Sequence, residues 1–466
     1  MNTHTFSSSD FKTARLSRDP RFDGLFFIAV KTTGIFCRPI CPAQLPKEEN
    51  VCYFKTAIEA AREGFRPCLR CRPDSAPGSN PWQGVETSFN RAVKLIDEGF
   101  LTEHSIDKLS DKLGITDRYL RKLFHRYLGV SPIHYAQYQQ CMFAKQLLHQ
   151  SRLPISDIAI ASGFNSVRRF NDCFKKMLKV RPSDIRKSTK SKTKLEDNRI
   201  HLTLSYRPPY DWEGLLSFLS TRQINHLEWF HDSEFNREGY GRTFFLGDIH
   251  GDFFVSPVKD KSKLDIAIQL EDPSKLNGAV KLIQRILDLN SNASAIDQQL
   301  SPLFPKGSYK TGIKIPQTAS FFEAGIRAIL GQQVSVKAAQ NLVTRLVTEL
   351  GQDYQENKKL FPTAMQIKSS SLDFLKMPQA RRETLKSFAD WYVKSDDRKV
   401  ENLLSIKGIG PWTVDYIRMR GLADTDVWLG SDLGIKNALK NHNIILNAEA
   451  AKPWRSYLTF QVWSML

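Results

Sequence analysis

The chain has 466 residues, of which 41% are hydrophobic and 11% aromatic, a composition that excludes a disordered or collagen-like polypeptide. At roughly 150 residues per domain, this length predicts about three domains. No apolar run approaches the roughly 18–20 residues that span a bilayer, and the N-terminal segment lacks the basic and apolar regions of a signal peptide. We therefore expect a cytoplasmic protein without a membrane partner.

Positive charge is concentrated in the front part of the chain. Residues 1–190 carry 31 Lys and Arg against 18 Asp and Glu, whereas residues 191–466 carry 36 against 31. A basic segment of this kind predicts an anionic partner, and nucleic acid is favoured over lipid for a chain with no membrane segment. A surface charge that serves only solubility is the alternative.

Four cysteines form two close pairs, Cys37-x3-Cys41 and Cys68-x2-Cys71. Short paired spacings let each pair hold one side of a tetrahedral ion, and thiolate sulfur is a ligand that zinc prefers. Four thiolates on a divalent cation leave a formal charge of about −2, which favours ionised and, where exposed, nucleophilic sulfur. The spacing alone also fits a purely structural zinc site. The other cysteines are predicted to be ordinary buried or free thiols: Cys52, Cys141 and Cys173.

The sequence around these pairs resembles a known domain. The stretches FFIAVKTTGIFCRPICPA and GFRPCLRCRPD resemble the N-terminal domain of the Ada-type proteins of the bacterial adaptive response, over about residues 10–75. The resemblance implies that Cys37 irreversibly accepts a methyl group from a DNA methylphosphotriester and that Cys41, Cys68 and Cys71 hold the zinc with it. A neutral thioether at Cys37 reduces the negative charge of the cluster, so promoter binding should tighten.

Ada-type proteins usually continue into a methyltransferase that carries a Pro-Cys-His-Arg motif and acts on 6-O-methylguanine. This motif does not occur in the sequence. We therefore expect no methyl transfer from that lesion to any cysteine of the chain.

A repeat of about 50 residues follows the cysteine-rich segment. LGVSP (128–132) recurs as LKVRP (178–182), and SIDKLSDKLG (105–114) is echoed by ISDIAIASG (155–163). Each copy predicts a helix-turn-helix pair. The predicted core positions of the second helices are Leu120, Phe124, Tyr127, Phe170, Phe174 and Met177. The predicted DNA-binding residues on the opposite faces are Arg118, Arg121, Arg168 and Arg169.

The segment 131–150 is predicted to form a helix that spaces the two recognition helices for successive major grooves, about 34 Å apart. GFNSVRRFNDCFKK followed by RPSDIR resembles the AraC-family DNA-binding domain over about residues 85–187. The resemblance implies a transcriptional activator that binds promoter DNA, with RNA polymerase as a partner.

The third region, residues 201–466, begins with strand signals in RTFFLGDI, DFFVSPV and LDIAIQL, with a turn expected at His250-Gly251. After about Gln317 a helical pattern is expected throughout. Within it, Lys407-Gly408-Ile409-Gly410 lies between two apolar stretches. Its glycines favour a tight turn whose outward amides could hold a DNA phosphate.

An aspartate, Asp432, follows a Gly-Ser turn beyond this segment; alone it fits a helix N-cap equally well. Together with FEAGIRAILGQQVSVKAA and KPWRSY, these features resemble the helix-hairpin-helix glycosylases, and the AlkA type most closely. The resemblance implies that Asp432 is catalytic and stabilises an oxocarbenium-like sugar. It also implies that aromatic residues surround the flipped base, where an electron-rich wall attracts a cationic purine. The aromatic residues matched are Trp412, Tyr416 and Trp454.

Two absences narrow the predicted chemistry. Trp412 stands where the glycosylases of this superfamily that also have lyase activity carry a catalytic lysine. We therefore expect a DNA-3-methyladenine glycosylase without lyase activity, that is, a monofunctional one. No cysteine follows Cys173, so an iron–sulfur loop is not expected.

Gln333 stands where the AlkA type inserts an apolar side chain as a wedge into DNA. The wedge of this chain is therefore either the polar Gln333 or a neighbouring residue such as Val334.

The sequence thus predicts a multidomain α+β protein with the following parts. They are a small α/β zinc domain (1–80), an all-α double helix-turn-helix domain (81–187), a linker (188–200), a glycosylase lobe with an antiparallel β-sheet and helices (201–310) and an all-α helix-hairpin-helix lobe (311–466). Double-stranded DNA, both alkylated and promoter DNA, is the expected partner of a monomer with zinc as cofactor. One alternative is a regulator whose rear domain binds damaged DNA without excision; another is a zinc domain with a structural role only.

Overall fold

The computed structural model describes residues 11–12, 15–16, 18, 26–54, 57–68, 70–71, 73, 85–97, 99–151, 153–188, 199–233, 236–395 and 399–466. The chain divides into two compact units, Met1–Gln139 and Gln140–Leu466. This division falls inside the predicted helix-turn-helix domain. Most of the predicted linker, residues 189–198, lies outside the described residues. In the described part of the chain, no helix combines the length and apolar character needed to cross a membrane.

The front unit contains a small sheet with a short helix, as expected for an α/β zinc domain. Its elements are β1 (Phe27–Val30), β2 (Ile35–Cys37), β3 (Val51–Phe54), β4 (Arg66–Pro67) and helix α1 (Ala57–Arg62). The strand order is β3-β1-β2-β4. Strand β1 pairs antiparallel with β2 and β3, whereas β2 and β4 are parallel. Phe27, Phe36 and Ala60 form its buried core.

The predicted repeat of helix pairs is confirmed. The helices are α2 (Val85–Asp97), α3 (Phe100–Glu103), α4 (Ile106–Leu113), α5 (Asp117–Leu128), α6 (Pro132–Gln150), α7 (Ile155–Ala161), α8 (Val167–Leu178) and α9 (Pro182–Ser188). Helices α5 and α8 occupy the same positions in the two copies of the repeat. Each begins at a side-chain cap, because the hydroxyls of Thr116 and Ser166 accept main-chain N–H groups of the first turn.

One predicted core residue of these helices is wrong. Leu120, Phe124, Phe170 and Phe174 are fully buried, but Tyr127 is 39% exposed. Its ring stacks on Phe89 of α2, with 4.7 Å between the ring centroids. The helical period places Tyr127 at the margin of the buried stripe, where an aromatic ring packs on one side only.

The second unit contains an antiparallel five-stranded sheet in the order β5-β9-β8-β7-β6. Its strands are β5 (Ile200–Ser205), β6 (Glu228–Asp232), β7 (Arg237–Leu246), β8 (Ile249–Pro257) and β9 (Lys263–Leu270). The turn between β7 and β8 lies at Gly247-Asp248 and not at His250-Gly251, which belong to β8. Gly247 has a φ of 63°, a left-handed conformation that glycine adopts readily and that a period-two hydrophobic pattern does not reveal.

The helices that follow β5 in this unit are α10 (Trp212–Ser220), α11 (Leu276–Ile286), α12 (Ala293–Leu300), α13 (Phe321–Leu330), α14 (Val336–Leu350), α15 (Ala364–Ser369), α16 (Gln379–Lys394), α17 (Pro411–Gly421), α18 (Leu433–Asn441) and α19 (Arg455–Trp463). The region after Gln317 is not helical throughout, because β10 (Asp353–Gln355) and β11 (Lys358–Lys359) form a hairpin. One apolar core lies between α13, α14, α16 and α17. Another lies between α12, α18 and α19.

Four buried charges join the sheet to α13. Arg242 of β7 donates to Glu323 at 2.7 Å, and Arg327 donates to Glu228 of β6 and to Glu323, both at 2.8 Å. The hydroxyl of Tyr240 donates to Glu228 at 3.1 Å. Two carboxylates and two guanidinium groups alternate, so each charge has partners of opposite sign, as a buried ion must.

We predict that Glu323→Gln lowers the free energy of unfolding by about 3–5 kcal/mol at pH 7, because it leaves two buried cations facing one carboxylate. Burial raises the pKa of Glu323, but Arg242 and Arg327 outweigh it and lower the pKa to about 2. In the unfolded chain the pKa of a glutamate is about 4.3. The stabilisation is therefore complete above pH 4.3 and disappears as the pH falls toward 2.

Denaturant titrations of both proteins between pH 7 and pH 3 measure this effect. Glu356→Gln, at an exposed position beside β10, is the control and should leave the free energy of unfolding unchanged. A difference between Glu323→Gln and the natural chain that stays constant over this pH range would contradict the assignment.

Candidate zinc centre, DNA-binding helices and base pocket

The four predicted cysteine ligands lie together at one end of the front sheet. Because β2 and β4 are parallel and pair Phe36 with Pro67, the next residues lie at the same end of the sheet: Cys37 is the last residue of β2, and Cys68 directly follows β4. The Cys68 N–H donates to the Phe36 carbonyl at 2.9 Å. Turns then bring in Cys41 and Cys71, and the four sulfur atoms lie within 4.8 Å of one another.

This arrangement fits zinc. Four thiolates at zinc–sulfur distances near 2.3 Å lie about 3.8 Å apart at the corners of a tetrahedron, which needs only a small contraction of the observed cluster. No carboxylate or imidazole belongs to the group among the described residues. A donor set made of sulfur alone selects zinc over harder cations.

Cys37 differs from the other three ligands in exposure. Its side chain is half-buried, whereas Cys41, Cys68 and Cys71 are buried. Cys71 is also held by Arg38, whose main-chain N–H donates to its Sγ at 3.4 Å and whose guanidinium donates to its carbonyl at 3.2 Å. A donated hydrogen bond draws electron density from a thiolate, so Cys71 is the weaker nucleophile of the two.

The predicted DNA-binding arginines lie on exposed faces of their helices. Arg118 and Arg121 are exposed on α5, where Arg121 pairs with Asp117 of the same helix at 3.0 Å. Arg168 and Arg169 are exposed in the first turn of α8. The start of a recognition helix is the part that approaches base edges in a helix-turn-helix protein.

The predicted hairpin is a tight turn between a 3-10 segment, Val400–Ser405, and helix α17; the preceding stretch is therefore not an α-helix. Gly408 has a φ of 90°, and a Cβ there would lie 2.2 Å from the Thr384 hydroxyl. A Cβ on Gly410 would meet nothing within 4 Å. Gly410 leaves its outer side open to an approaching backbone, and Lys407 is exposed beside it.

The loop that carries the predicted wedge lies against this hairpin. The amide of Gln332 donates to the Gly408 carbonyl and to the Thr413 hydroxyl, both at 2.9 Å. The adjacent Gln333 is exposed and has a left-handed φ of 53°. This conformation holds Gln333 outward from the loop, whereas Val334 is half-buried.

Asp432 caps α18 and is also held by two indoles. Its Oδ1 accepts from the Ile435 N–H at 3.1 Å and from Trp463 Nε1 at 3.2 Å, and its Oδ2 accepts from Trp412 Nε1 at 3.0 Å. All three partners are donors, so both oxygens act as acceptors. The helix-cap interpretation and the proposed functional role of Asp432 are therefore compatible.

Aromatic side chains and one arginine complete a closed ring of contacts around this carboxylate. Trp412 stacks on Tyr416 with 5.4 Å between centroids, and the Tyr416 hydroxyl accepts from Arg420 at 3.3 Å. The Arg420 guanidinium lies 5.0 Å from the Phe218 ring, whose centroid lies 6.3 Å from that of Trp463. The hydrogen bond from Trp463 to Asp432 closes this ring of contacts. Arg420 is 4% exposed, and burial lowers its pKa.

A second guanidinium, that of Arg222, lies 4.0 Å above the Phe218 ring at the end of α10. Burial lowers the pKa of Arg222 to about 10, and the charge of Asp432 acts in the opposite direction. Arg222 therefore stays cationic at neutral pH and balances part of the charge of Asp432.

The structure does not place Trp454 where the sequence suggests. Trp454 and Trp463 stand at opposite ends of α19, about 13 Å apart along its axis. The Trp454 ring packs edge-on against Tyr457 at 6.0 Å. Among the hydrogen bonds of the described residues, the indole donors to Asp432 belong to Trp412 and Trp463.

Sequence reasoning missed Phe218, Arg222, Arg420 and Trp463. Phe218 lies on α10 and Arg222 just beyond its end, more than 200 residues before Asp432 in the chain. Phe218 and Trp463 carried no local signal beyond an apolar helical pattern, which fits core packing equally well. Only the tertiary contact of α10 with α19 identifies them.

Three family models match the chain. They are the metal binding domain of Ada over residues 11–74, a helix-turn-helix domain over 109–188 and the AlkA N-terminal domain over 201–320. The chain is thus a zinc-binding, DNA-binding protein of transcription regulation that also carries a glycosylase-type domain of DNA repair.

The chain is 33% identical over 479 residues to the "Probable bifunctional transcriptional activator/DNA repair enzyme AlkA" of Mycobacterium tuberculosis. That match covers 97% of this chain and 95% of the relative. The chain is 30% identical to "DNA-3-methyladenine glycosylase 2" of Escherichia coli, over 56% of this chain and 96% of that one. It is 32% identical to "Bifunctional transcriptional activator/DNA repair enzyme AdaA" of Bacillus subtilis, over 40% and 86%. The chain belongs to the family of bifunctional transcriptional activator/DNA repair enzymes of the Ada and AlkA type.

Proposed function

We propose that the chain performs two repair reactions on alkylated DNA. The front unit transfers a methyl group irreversibly from a DNA methylphosphotriester to Cys37 and thereby activates transcription. The rear unit hydrolyses the N-glycosidic bond of alkylated bases such as 3-methyladenine. The observation that carries this proposal is the Asp432 carboxylate, held by two indole N–H groups within a ring of aromatic side chains.

The position of Cys37, which is half-buried whereas the other three cysteines are buried, supports the methyl transfer. Its thiolate attacks the methyl carbon; the carbon–sulfur bond forms, the carbon–oxygen bond breaks, and the phosphodiester oxygen keeps the electron pair. Zinc bound by the four cysteines keeps their sulfur atoms ionised at neutral pH. The carbon–sulfur bond of the product thioether is stable, so the transfer is irreversible. The thioether also carries no charge, which lowers the repulsion of DNA phosphates.

Base excision follows from the ring of contacts around Asp432. A flipped purine stacks on the Trp412 and Tyr416 side of the ring, where the aromatic faces attract the positive charge of an alkylated base. As the glycosidic bond breaks, the sugar becomes cationic, and the fixed carboxylate of Asp432 stabilises it. Trp412 occupies the position of the lysine of bifunctional enzymes, so we propose a monofunctional hydrolase that forms no Schiff base.

The DNA contacts divide by type. The α5 and α8 faces with Arg118, Arg121, Arg168 and Arg169 bind promoter DNA, and RNA polymerase is the partner of the activated complex. Lys407, Gly408 and Gly410 bind the backbone at the lesion, and Gln333 stands at the position of the wedge that enters the DNA. We propose that the protein acts as a monomer. We also propose the domain limits expected from the sequence, with a helix-hairpin-helix lobe over 311–466. The alternative, damage binding without excision, has no observation in its favour at Asp432.

A pair of tryptophan variants tests the base pocket. We predict that Trp463→Ala lowers kcat/KM for release of alkylated purine by about 10–100-fold, because it removes an aromatic wall and a donor to Asp432. Trp454→Ala removes the same side chain from the other end of α19 and should retain activity close to that of the natural chain. The measurement is release of free base from alkylated duplex.

Loss of activity in Trp454→Ala, with activity retained in Trp463→Ala, would return Trp454 to the pocket in place of Trp463. A natural chain that binds alkylated duplex but releases no base would favour the alternative of damage binding alone. Thermal unfolding of both variants controls for general damage to α19.

A further inference from the structure

The second helix-turn-helix pair shares an apolar core with the sheet of the rear unit. Buried side chains of α6, α7 and α8 and of β5 and α11 form one continuous cluster. Its members include Ala144, Leu147, Ile158, Phe170, Leu202, Leu204, Leu276 and Ala279. Residues 140–188 and 199–466 accordingly fall in one compact unit. An independent module joined by a free linker would instead have its own core.

A second observation is the covering of the sheet edge. Strand β5 is the outermost strand and pairs with β9 alone. The Thr203 N–H donates to Gln150 Oε1 at 3.0 Å, and the Thr203 carbonyl accepts from Gln146 Nε2 at 3.2 Å. Two glutamines of α6 thus satisfy main-chain groups that an edge strand leaves unpaired.

The attachment has a further contact at α7, which touches the 3-10 turn Pro273–Lys275 ahead of α11. The pair is therefore held at the edge strand by α6 and at this turn by α7. Contacts at two separate places restrict rotation of the helix pair relative to the sheet.

The docking leaves the cationic face of α8 exposed. Phe170 and Phe174 are buried on one side of this helix, whereas Arg168, Arg169 and Lys175 are exposed. The exposed cations belong to the same compact unit as Asp432. DNA held on α8 is therefore tied to the unit that carries the base pocket.

We propose that the second helix-turn-helix pair is a docked DNA-binding arm of the base-excision unit, and that the cations of α8 contact backbone phosphates of the duplex during excision. This inference rests on the proposed glycosylase function. Phosphate contacts are independent of sequence, so the arm contributes at any lesion and not only at a promoter. Such contacts strengthen substrate binding and leave the chemical step unchanged.

The test compares base release by the full chain and by Arg168→Ala/Arg169→Ala on two lesion duplexes, one just covering the base-excision footprint and one much longer. We expect KM on the long duplex to rise roughly tenfold at low salt, with kcat unchanged and no change on the short duplex. Lys259→Ala/Lys261→Ala removes two exposed cations from the turn after β8. It is the charge-matched control and should keep the KM of the natural chain.

A second variant, Gln146→Ala/Gln150→Ala, tests the docking itself. Hydrogen exchange of the Thr203 amide should accelerate, and the advantage of the long duplex should shrink. An unchanged KM for the α8 variant on the long duplex would overturn the proposal, as would an equal loss on both duplexes. Absence of base release from either duplex by the natural chain would instead overturn the proposed glycosylase function.

Discussion

Asp432→Asn is expected to lower the single-turnover rate of base release by about 10²–10³-fold, because it removes the charge that stabilises the sugar cation. Asparagine keeps an oxygen that can accept from Ile435 and Trp463, so the cap of α18 survives. In the natural chain the Trp412 indole donates to Oδ2 of Asp432 at 3.0 Å. In the variant the NH₂ group takes the place of that oxygen, so two donors face each other and this hydrogen bond is lost. The variant therefore loses both a charge and a hydrogen bond.

A double variant separates these two effects. Trp412→Phe removes the indole donor and leaves the Asp432 charge, so it should cost far less activity than Asp432→Asn. Asp432→Asn/Trp412→Phe removes the donor–donor conflict but not the loss of charge, and we expect it to remain as inactive as Asp432→Asn. Recovery of base release in the double variant would show that geometry, and not charge, governs the rate. Binding of alkylated duplex, measured in parallel, should persist in all three variants.

The second prediction with a large expected effect is methyl transfer to the front unit. After incubation with methylphosphotriester DNA, mass spectrometry should find one added methyl group, located on Cys37. Cys37→Ala should carry none, because the other three sulfur atoms are buried and Cys71 accepts a hydrogen bond from Arg38. Removal of one ligand also weakens the hold on zinc, so the zinc content of the variant must be measured.

Cys52→Ala is the matched control for this experiment, since Cys52 lies on β3 of the same sheet, outside the cluster of four sulfur atoms. It should accept one methyl group on Cys37 at the rate of the natural chain. Methyl transfer to Cys41, Cys68 or Cys71 would overturn the choice of nucleophile. Promoter binding by the methylated protein should be tighter, because the neutral thioether at Cys37 repels DNA phosphates less than a thiolate does. This binding should weaken as the salt concentration rises, because it depends on contacts with phosphates.

Short-range features were predictable from the sequence. The cysteine spacings gave the zinc ligands, because paired ligands in tight turns are local. The 50-residue repeat predicted both helix-turn-helix pairs, because glycine turns and helical periodicity are also local. Tyr127 was misplaced since periodicity identifies a face and not its margin, and the turn before β8 was misplaced since both Gly247 and Gly251 fit a turn.

The candidate base pocket was only half predictable. Asp432, Trp412 and Tyr416 lie within 21 residues of one another and share a recognisable pattern. Phe218 and Trp463 come from opposite ends of the rear unit and meet only because α10 packs against α19. The sequence alone does not distinguish Trp454 from Trp463; the two lie at opposite ends of α19, and Trp463 is the one that donates to Asp432.

By itself, the sequence determined the family, the zinc ligands, the paired recognition helices and the position of the candidate catalytic aspartate, because each depends on residues near one another in the chain. The tertiary structure alone decided which of the four cysteines is least buried, which indoles hold Asp432 and where the second helix pair docks. Burial and contacts between distant segments depend on how whole surfaces pack, and no local pattern encodes them.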